Sequence, residues 1–202
     1  MPHRYNISSE YEKFWQPIAD EFYTSKYPKC ELKRYNSNSS EDIEFQKKDI
    51  DLTLILEDTS IHISEKFRKE DYGDLLIEIY SKYPSHQGWL ANSHADYLAY
   101  YAKDIVYIIE KHGLIRWFEE ENFVKNLSAK IEDFHKKHMH SSARSKIKWV
   151  TKSENKIQID LIQAFNQSGS DQWHTLSLAI AWNDLKKEGL SFKKYKLSNR
   201  LS

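Results

Sequence analysis

Glu65 and Lys66 stand side by side in "TSIHISEKFRKEDYGD", directly after the alternating apolar pair Ile61 and Ile63, and Asp51 opens another alternating run within "DIDLTLILED". An acid on one strand, with an acid and an ammonium on the next, is a set that can act on a phosphodiester. Hydrolysis needs a water made nucleophilic, charge neutralised on the scissile phosphate and a stabilised leaving oxygen, and a divalent ion held by carboxylates serves all three needs. Magnesium takes oxygen ligands and keeps several waters, so two or three converging carboxylates suffice, and manganese accepts the same donors. Lys66, a compact cation, would orient the water or offset charge on the phosphate.

For these groups to meet, the two runs must pair. Asp49, Asp51, Thr53 and Ile55 alternate with Ile50, Leu52, Leu54 and Leu56, "EDTS" has turn chemistry, and "IHISEKF" returns. The pattern predicts a β-hairpin with Asp51 and the Glu65 region on neighbouring strands. Upstream, Tyr11, Phe14, Trp15, Ile18 and Phe22 at three-to-four spacing predict a helix interrupted by Pro17. "CELKRYN" reads as a short strand and Asn36 to Asp42 as a polar loop.

Downstream, a third apolar run covers Asp74 to Pro84, "SHADYLAYYA" reads as a helix or loop-helix segment, and "DIVYIIE" as a strand. "GLIRWFEEENFVKNLSAKIEDFHKKHMH" reads as helix in two pieces, and "KIKWVTK", "KIQIDLIQAF" and "TLSLAIAW" as strands. Asn183 reads as the cap of a short "DLKKEG" turn that Gly189 stops. Strand runs mixed with helices predict an α/β (α+β) fold, a mixed central sheet flanked by helices.

The 202 residues, 40% hydrophobic and 30% charged with five glycines and four prolines, describe one ordered domain with decorations. A formal net charge of zero gives a nucleic-acid partner no overall support, so that case rests on local charge. Two basic groups qualify: Lys136, Lys137, Arg144, Lys146, Lys148 and Lys152, then Lys186, Lys187, Lys193, Lys194, Lys196 and Arg200. Either neutralises phosphates without reading sequence, or is a solvated helix end or terminus.

Cys30 is the only cysteine, which excludes an internal disulfide and a cysteine-rich zinc site and fits a reducing cytoplasm. His135 and His138 share a helix face, but no carboxylate or cysteine at suitable spacing completes four zinc ligands. No apolar leader and no run of roughly 18 apolar residues is present, so a soluble chain without a membrane partner is expected. Trp89, Tyr97, Tyr100, Tyr101, Trp117 and Phe118 read as core, with Trp89 beside Gly88 the one placed for base stacking. No glycine-rich phosphate loop, nucleophile elbow or dinucleotide fingerprint occurs.

The Asp, hairpin and "SEK" order resembles the PD-(D/E)XK nuclease superfamily, whose motif is an Asp on one strand and a (Asp/Glu)-x-Lys on the next. "FWQPIADEFY", "QKKDIDLTL", "ISEKFRKEDYGDLLIEIYS", "GWL" and "ADYLAYYAKDIVYI" resemble a phage and bacterial branch of it, over roughly residues 8 to 120. The resemblance implies a restriction-endonuclease-like core over 1–126, with 127–202 as a basic extension. It implies a magnesium- or manganese-dependent endonuclease acting on DNA, or on RNA by the same chemistry, and admits a homodimer.

Asp51 would be the metal ligand and Lys66 the catalytic lysine. The motif position for the second carboxylate holds Ser64, with Glu65 in the "x" place. Ser64 and Lys66 share a strand face while Glu65 points with Ile61 and Ile63 toward packing, unless a bulge turns it or it sits at a wet strand end. Glu78 in "DLLIEIYS" is the candidate to replace the missing acid, and Glu12 on the first helix is another. Arg68, Lys146 and Lys148 would hold the nucleic-acid backbone. The departure at Ser64 equally motivates a nuclease-like fold that no longer cuts and binds nucleic acid or a host protein instead.

Overall fold

Alternation and capping signals become elements in the computed structural model, which describes residues 5–120, 123–140, 145–150 and 155–197. The order is α1 (Tyr5–Lys26), β1 (Glu31–Arg34), α2 (Ser40–Lys47), β2 (Leu52–Leu56), β3 (Thr59–Arg68), β4 (Asp74–Lys82), β5 (His86–Gln87) and α3 (Trp89–Asn92). There follow β6 (Tyr97–Ala102), β7 (Ile105–Glu110), α4 (Lys111–Glu120), α5 (Phe123–His138), β8 (Ser145–Val150), β9 (Gln158–Ser168), β10 (Asp171–Ala181), α6 (Trp182–Lys187) and β11 (Phe192–Lys196). The fold is α+β, with a mixed six-stranded sheet flanked by helices.

The chain forms two compact units that interleave in sequence. One is built mainly from Gly73–Ala91 and Gly113–Leu190, the other from Ser8–Tyr72, Asn92–His112 and the segment beginning at Ser191. A cut near residue 126 falls inside α5, so the units do not follow a division into 1–126 and 127–202.

The second unit holds the six-stranded sheet, in the order β1-β2-β3-β6-β7-β11. The predicted hairpin is there: β2 and β3 pair antiparallel with Leu52 opposite Ile63 and Leu56 opposite Thr59. β6 then lies parallel to β3, with Ser64 opposite Leu98 and Lys66 opposite Tyr100. Trp15, Ala19 and Tyr23 of α1 pack on Leu52, Leu54, Ile63, Ala99, Tyr101 and Val106. Burying each such leucine or isoleucine contributes about 1.5–3 kcal/mol. This apolar face fixes the hairpin register, because a slip of one residue would turn Leu52 and Leu54 outward. α1 runs through Pro17 to Lys26, since that proline is on its exposed side.

"SHADYLAYYA" is a strand where a helical reading was expected: Tyr97–Ala102 forms β6. Tyr97, Tyr100 and Tyr101 have helical spacing, but a central strand is buried on both faces and need not alternate. Leu98 through Ala102 are all buried. The expected polar loop also contains structure, because Ser39 Oγ accepts from the Asp42 N–H and caps α2.

The first unit holds an antiparallel five-stranded sheet in the order β5-β4-β10-β9-β8. Leu75, Ile77, Leu161, Leu176, Leu178 and Ile180 are buried in it. α6 begins after Ala181 with no side-chain cap; the Trp182 N–H donates to Gly73 O at 3.1 Å, so a backbone carbonyl does what Asn183 was expected to do. Gly189, at φ 81°, ends that helix as expected.

Candidate functional site

The lower end of the hairpin collects the charged groups, and the backbone explains how. After α2 the chain turns through Asp49 in the left-handed region, φ 52°, a conformation that aspartate tolerates better than most residues. Neighbouring segments clamp the turn: the His94 N–H donates to Lys48 O at 2.7 Å and Ser93 Oγ to Asp49 O at 3.5 Å. The Asp49 carboxylate thereby faces β3, where Oδ1 accepts from Lys66 Nζ at 2.6 Å and Oδ2 from Ser64 Oγ at 2.7 Å. Both partners stand on one face of the strand.

Asp51 is locked next to this pair. Its N–H donates to Ile63 O at 2.9 Å, and its own Oδ2 accepts the Glu65 N–H at 2.6 Å. Desolvation pushes its carboxyl up; the Lys66 charge opposes that and Asp49 reinforces it. Glu12 on α1 is pushed up in the same way, by desolvation first and then by the charge of Asp51, with Lys66 again opposing. Three carboxylates therefore act on one another and on one ammonium.

Glu65 goes the other way. Its residue is 6% exposed and its carboxylate lies under α1, where Tyr23 Oη donates to Oε1 at 3.0 Å and Arg34 Nη1 to Oε2 at 2.6 Å. Arg34 also donates from Nε to Asp20 Oδ1 at 2.7 Å. Burial pushes the Glu65 carboxyl up to about 7 against the pull of Arg34 and Tyr23. The pairing of β3 with β6 runs from Ile63 to Arg68 without a bulge, so nothing rotates Glu65 toward Lys66. As a metal ligand beside Asp51 it is thus misplaced: strand alternation gives its carboxylate to the packed face and to Arg34.

The other expected residues scatter. Glu78 lies on β4 of the five-stranded sheet, opposite Ser177, in a different unit from Asp51. Arg68 donates to Tyr100 Oη at 3.1 Å and stacks 4.4 Å from the Tyr72 ring centroid. Lys146 and Lys148 sit on β8, in register with Ile162 and Asp160. Arg144, Lys152 and Arg200 lie outside the described residues.

In the basic groups, Lys136 pairs with Glu132, Lys137 with Asp133 and Lys187 with Asp184, so these lysines bring their own counter-charges. His135 turns to Gln163 Oε1 at 3.0 Å and to the Tyr83 ring, which makes it a packing residue. Trp89 begins α3 rather than standing in a loop; Gly88 before it is needed because a Cβ there would come within 2.0 Å of Glu78 O.

A cavity of about 280 Å³ lies on the α1 face, among Tyr27, Tyr97, Tyr195 and Lys26. That is the face of Glu65, not of Lys66. Among the described residues, no three acids, histidines or cysteines stand close enough together to hold a metal ion.

Two participants were not foreseen from sequence. Arg34 follows from charge balance, since a glutamate buried beneath a helix needs a cation on a neighbouring element. Lys111, 3% exposed, is influenced by the charges of Asp49 and Lys66. Comparison with family models, curated proteins and solved structures finds no match to this chain.

Proposed function

We propose that the chain hydrolyses phosphodiester bonds of DNA at the corner formed by Glu12, Asp49, Asp51 and Lys66. The observation that carries this reading is Lys66 Nζ on Asp49 Oδ1 at 2.6 Å, with Asp51 held on the neighbouring Glu65 N–H at 2.6 Å, so that two aspartates enter from the β2 side beside a lysine standing on β3; Glu12 feels the charges of Asp51 and Lys66. Lys66 neutralises a non-bridging phosphate oxygen. Glu12 has a carboxyl pKa raised by desolvation and by the charge of Asp51, which suits it to take the proton of an attacking water. Asp51, fixed by the Glu65 N–H, orients that water; as the water oxygen bonds to phosphorus the P–O bond to the sugar breaks, and the departing sugar oxygen takes a proton from solvent.

Magnesium or manganese is what the resemblance implies, and an all-carboxylate donor set suits either ion. The arrangement itself does not fit one: both Asp49 oxygens are engaged, Glu65 is bound to Arg34, and Glu78 belongs to the other unit.

A second reading has its own observation. Ser64 and Lys66 close on Asp49 while Glu65 is sequestered with Arg34, which is how a nuclease-like corner that only binds nucleic acid would look. One assay separates the two. The protein is incubated with plasmid, linear and single-stranded DNA and with RNA, in magnesium, manganese or chelator, beside Glu12→Gln, Asp51→Asn and Lys66→Met. Hydrolysis should fall by about 10²–10³ in Lys66→Met, the size expected for losing an electrostatic stabiliser. Cutting that survives Lys66→Met and Asp51→Asn defeats the assignment, and retained DNA binding with no cutting selects the second reading.

A further inference from the structure

The cavity on the α1 face has no task in that reaction. It holds about 280 Å³, beside a range for ligand pockets that starts at about 300 Å³, so it suits a small molecule. Every residue around it belongs to the unit of the six-stranded sheet. Leu54, Ile61, Ile63 and Ile108 give it an apolar floor, and Phe22, Tyr27, Tyr97 and Tyr195 line it with aromatic residues. Phe22 and Tyr195 already meet there, with ring centroids 5.4 Å apart and planes at 55°.

Strand register brings charge to the same place. Lys193 is opposite Ile108, and Glu110 is opposite Tyr97, whose partner on β3 is Ile63, so both residues stand on the α1 side of the sheet. Lys26, in the last turn of α1, holds its ammonium 4.6 Å from the centroid of the Tyr195 ring, and Lys193 is two residues before Tyr195 on the same side of β11. Lys26, Lys193 and Glu110 all line the cavity and are exposed. Among the described residues, none makes an ion pair with any of them.

Each part of this lining selects a part of a ligand. Aromatic walls over an aliphatic floor favour a flat ring, which gains about 0.5–1.5 kcal/mol from ring contacts beyond the area it buries. Two ammonium groups beside Tyr195 call for an anion. Glu110, an acceptor only, calls for an N–H donor, which an acyl chain does not have.

We propose that this cavity binds a small heteroaromatic anion, with its ring on the floor of Ile61 and Ile108, its carboxylate or phosphate between Lys26 and Lys193, and a ring N–H or amino group donating to Glu110. A nucleoside monophosphate and an indole-type acid share this chemistry. The site is on the opposite face of the sheet from Lys66 and does not depend on the reading of that lysine.

The test is calorimetric titration of the full chain with adenosine monophosphate, with indole-3-acetate, with naphthalene-1-acetate, which lacks the N–H, and with decanoate, which lacks the ring. Saturable binding of one or both of the first two below about 1 mM is expected, and the compound that binds identifies the source. Lys26→Gln and Lys193→Gln should each weaken that binding by about tenfold or more, as for a lost hydrogen bond to a charged group, and Lys193→Arg should keep it. Glu110→Gln should weaken it too but tighten naphthalene-1-acetate, because a like charge is removed from beside the anion. Lys66→Met should leave it unchanged.

No saturation by either compound overturns the proposal, as does decanoate or naphthalene-1-acetate binding more tightly than both. Affinity that ignores Lys26→Gln and Lys193→Gln but falls in Lys66→Met would put the ligand at the Asp49 corner and overturn it as well. The replaced residues are exposed, so an unchanged unfolding transition in each variant keeps these outcomes readable.

Discussion

The two faces of β3 carry charged residues under opposite rules. On the α1 face, Glu65 is enclosed with Arg34, Tyr23 and, through Arg34, Asp20. On the other face, Ser64 and Lys66 both bond to Asp49 at a turn, and the lysine and aspartate side chains keep about a fifth of their surface, 24% and 19%. The first arrangement has its donors and acceptors matched in a dry setting, where losing either partner strands a charge. The second is hydrated enough for partners to exchange, which is what handling a substrate requires. Adjacent residues of one motif-like triplet therefore differ in kind: Glu65 is enclosed in the fold, and Lys66 stays in reach of solvent.

Substitutions can break this contrast, and the largest effect belongs to the enclosed face. Arg34→Met should lower unfolding stability by about 3–5 kcal/mol, because Glu65 stays behind without a cation. Equilibrium unfolding in urea measures it; a loss under about 1 kcal/mol would mean the pair is not isolated from water.

The next effect is a pH dependence. Glu65 has a folded-state pKa of about 7, above its ordinary 4.5. Between those values the folded protein binds the extra proton, so this group's contribution to stability declines as pH rises from about 4.5 to about 7 and is level above that. The change is at most about 3 kcal/mol, from 1.36 kcal/mol per pH unit. Glu65→Gln should lack that slope when unfolding free energies are compared across the window, and parallel curves for the two proteins would contradict the burial argument.

Tyr23→Phe removes one hydrogen bond to the Glu65 carboxylate and should cost about 1.5–3 kcal/mol. The smallest change sharpens the comparison: Lys66→Met should alter stability by no more than about 1 kcal/mol, as expected for a partly exposed ion pair. Thermal unfolding of both variants side by side would show it, and a Lys66→Met loss as large as that of Arg34→Met would erase the distinction between the faces.

How far this was legible from sequence depended on which physical signal each residue left. The hairpin was readable because Leu52, Leu54, Ile61 and Ile63 alternate, and the parity of β3 already put Glu65 on the packing side. Arg34 left no such signal, since "CELKRYN" reads only as a short strand and names no partner for its charges. β6 was misread because a strand buried on both faces loses alternation, and its tyrosines happen to fall at helical spacing. Lys111 left no signal because its burial arises only after β6 crosses to lie parallel to β3 and β7 returns beside it. Glu78 looked like a third-strand neighbour of the hairpin, yet β4 pairs with β10, a partner about a hundred residues further along the chain.

The most direct test of the central claim is the rate of DNA hydrolysis by wild type and Lys66→Met, each first shown to be folded by its unfolding transition. Two folded proteins of nearly equal stability are expected, with cutting rates that differ by about 10²–10³. Equal rates from both would contradict the claim.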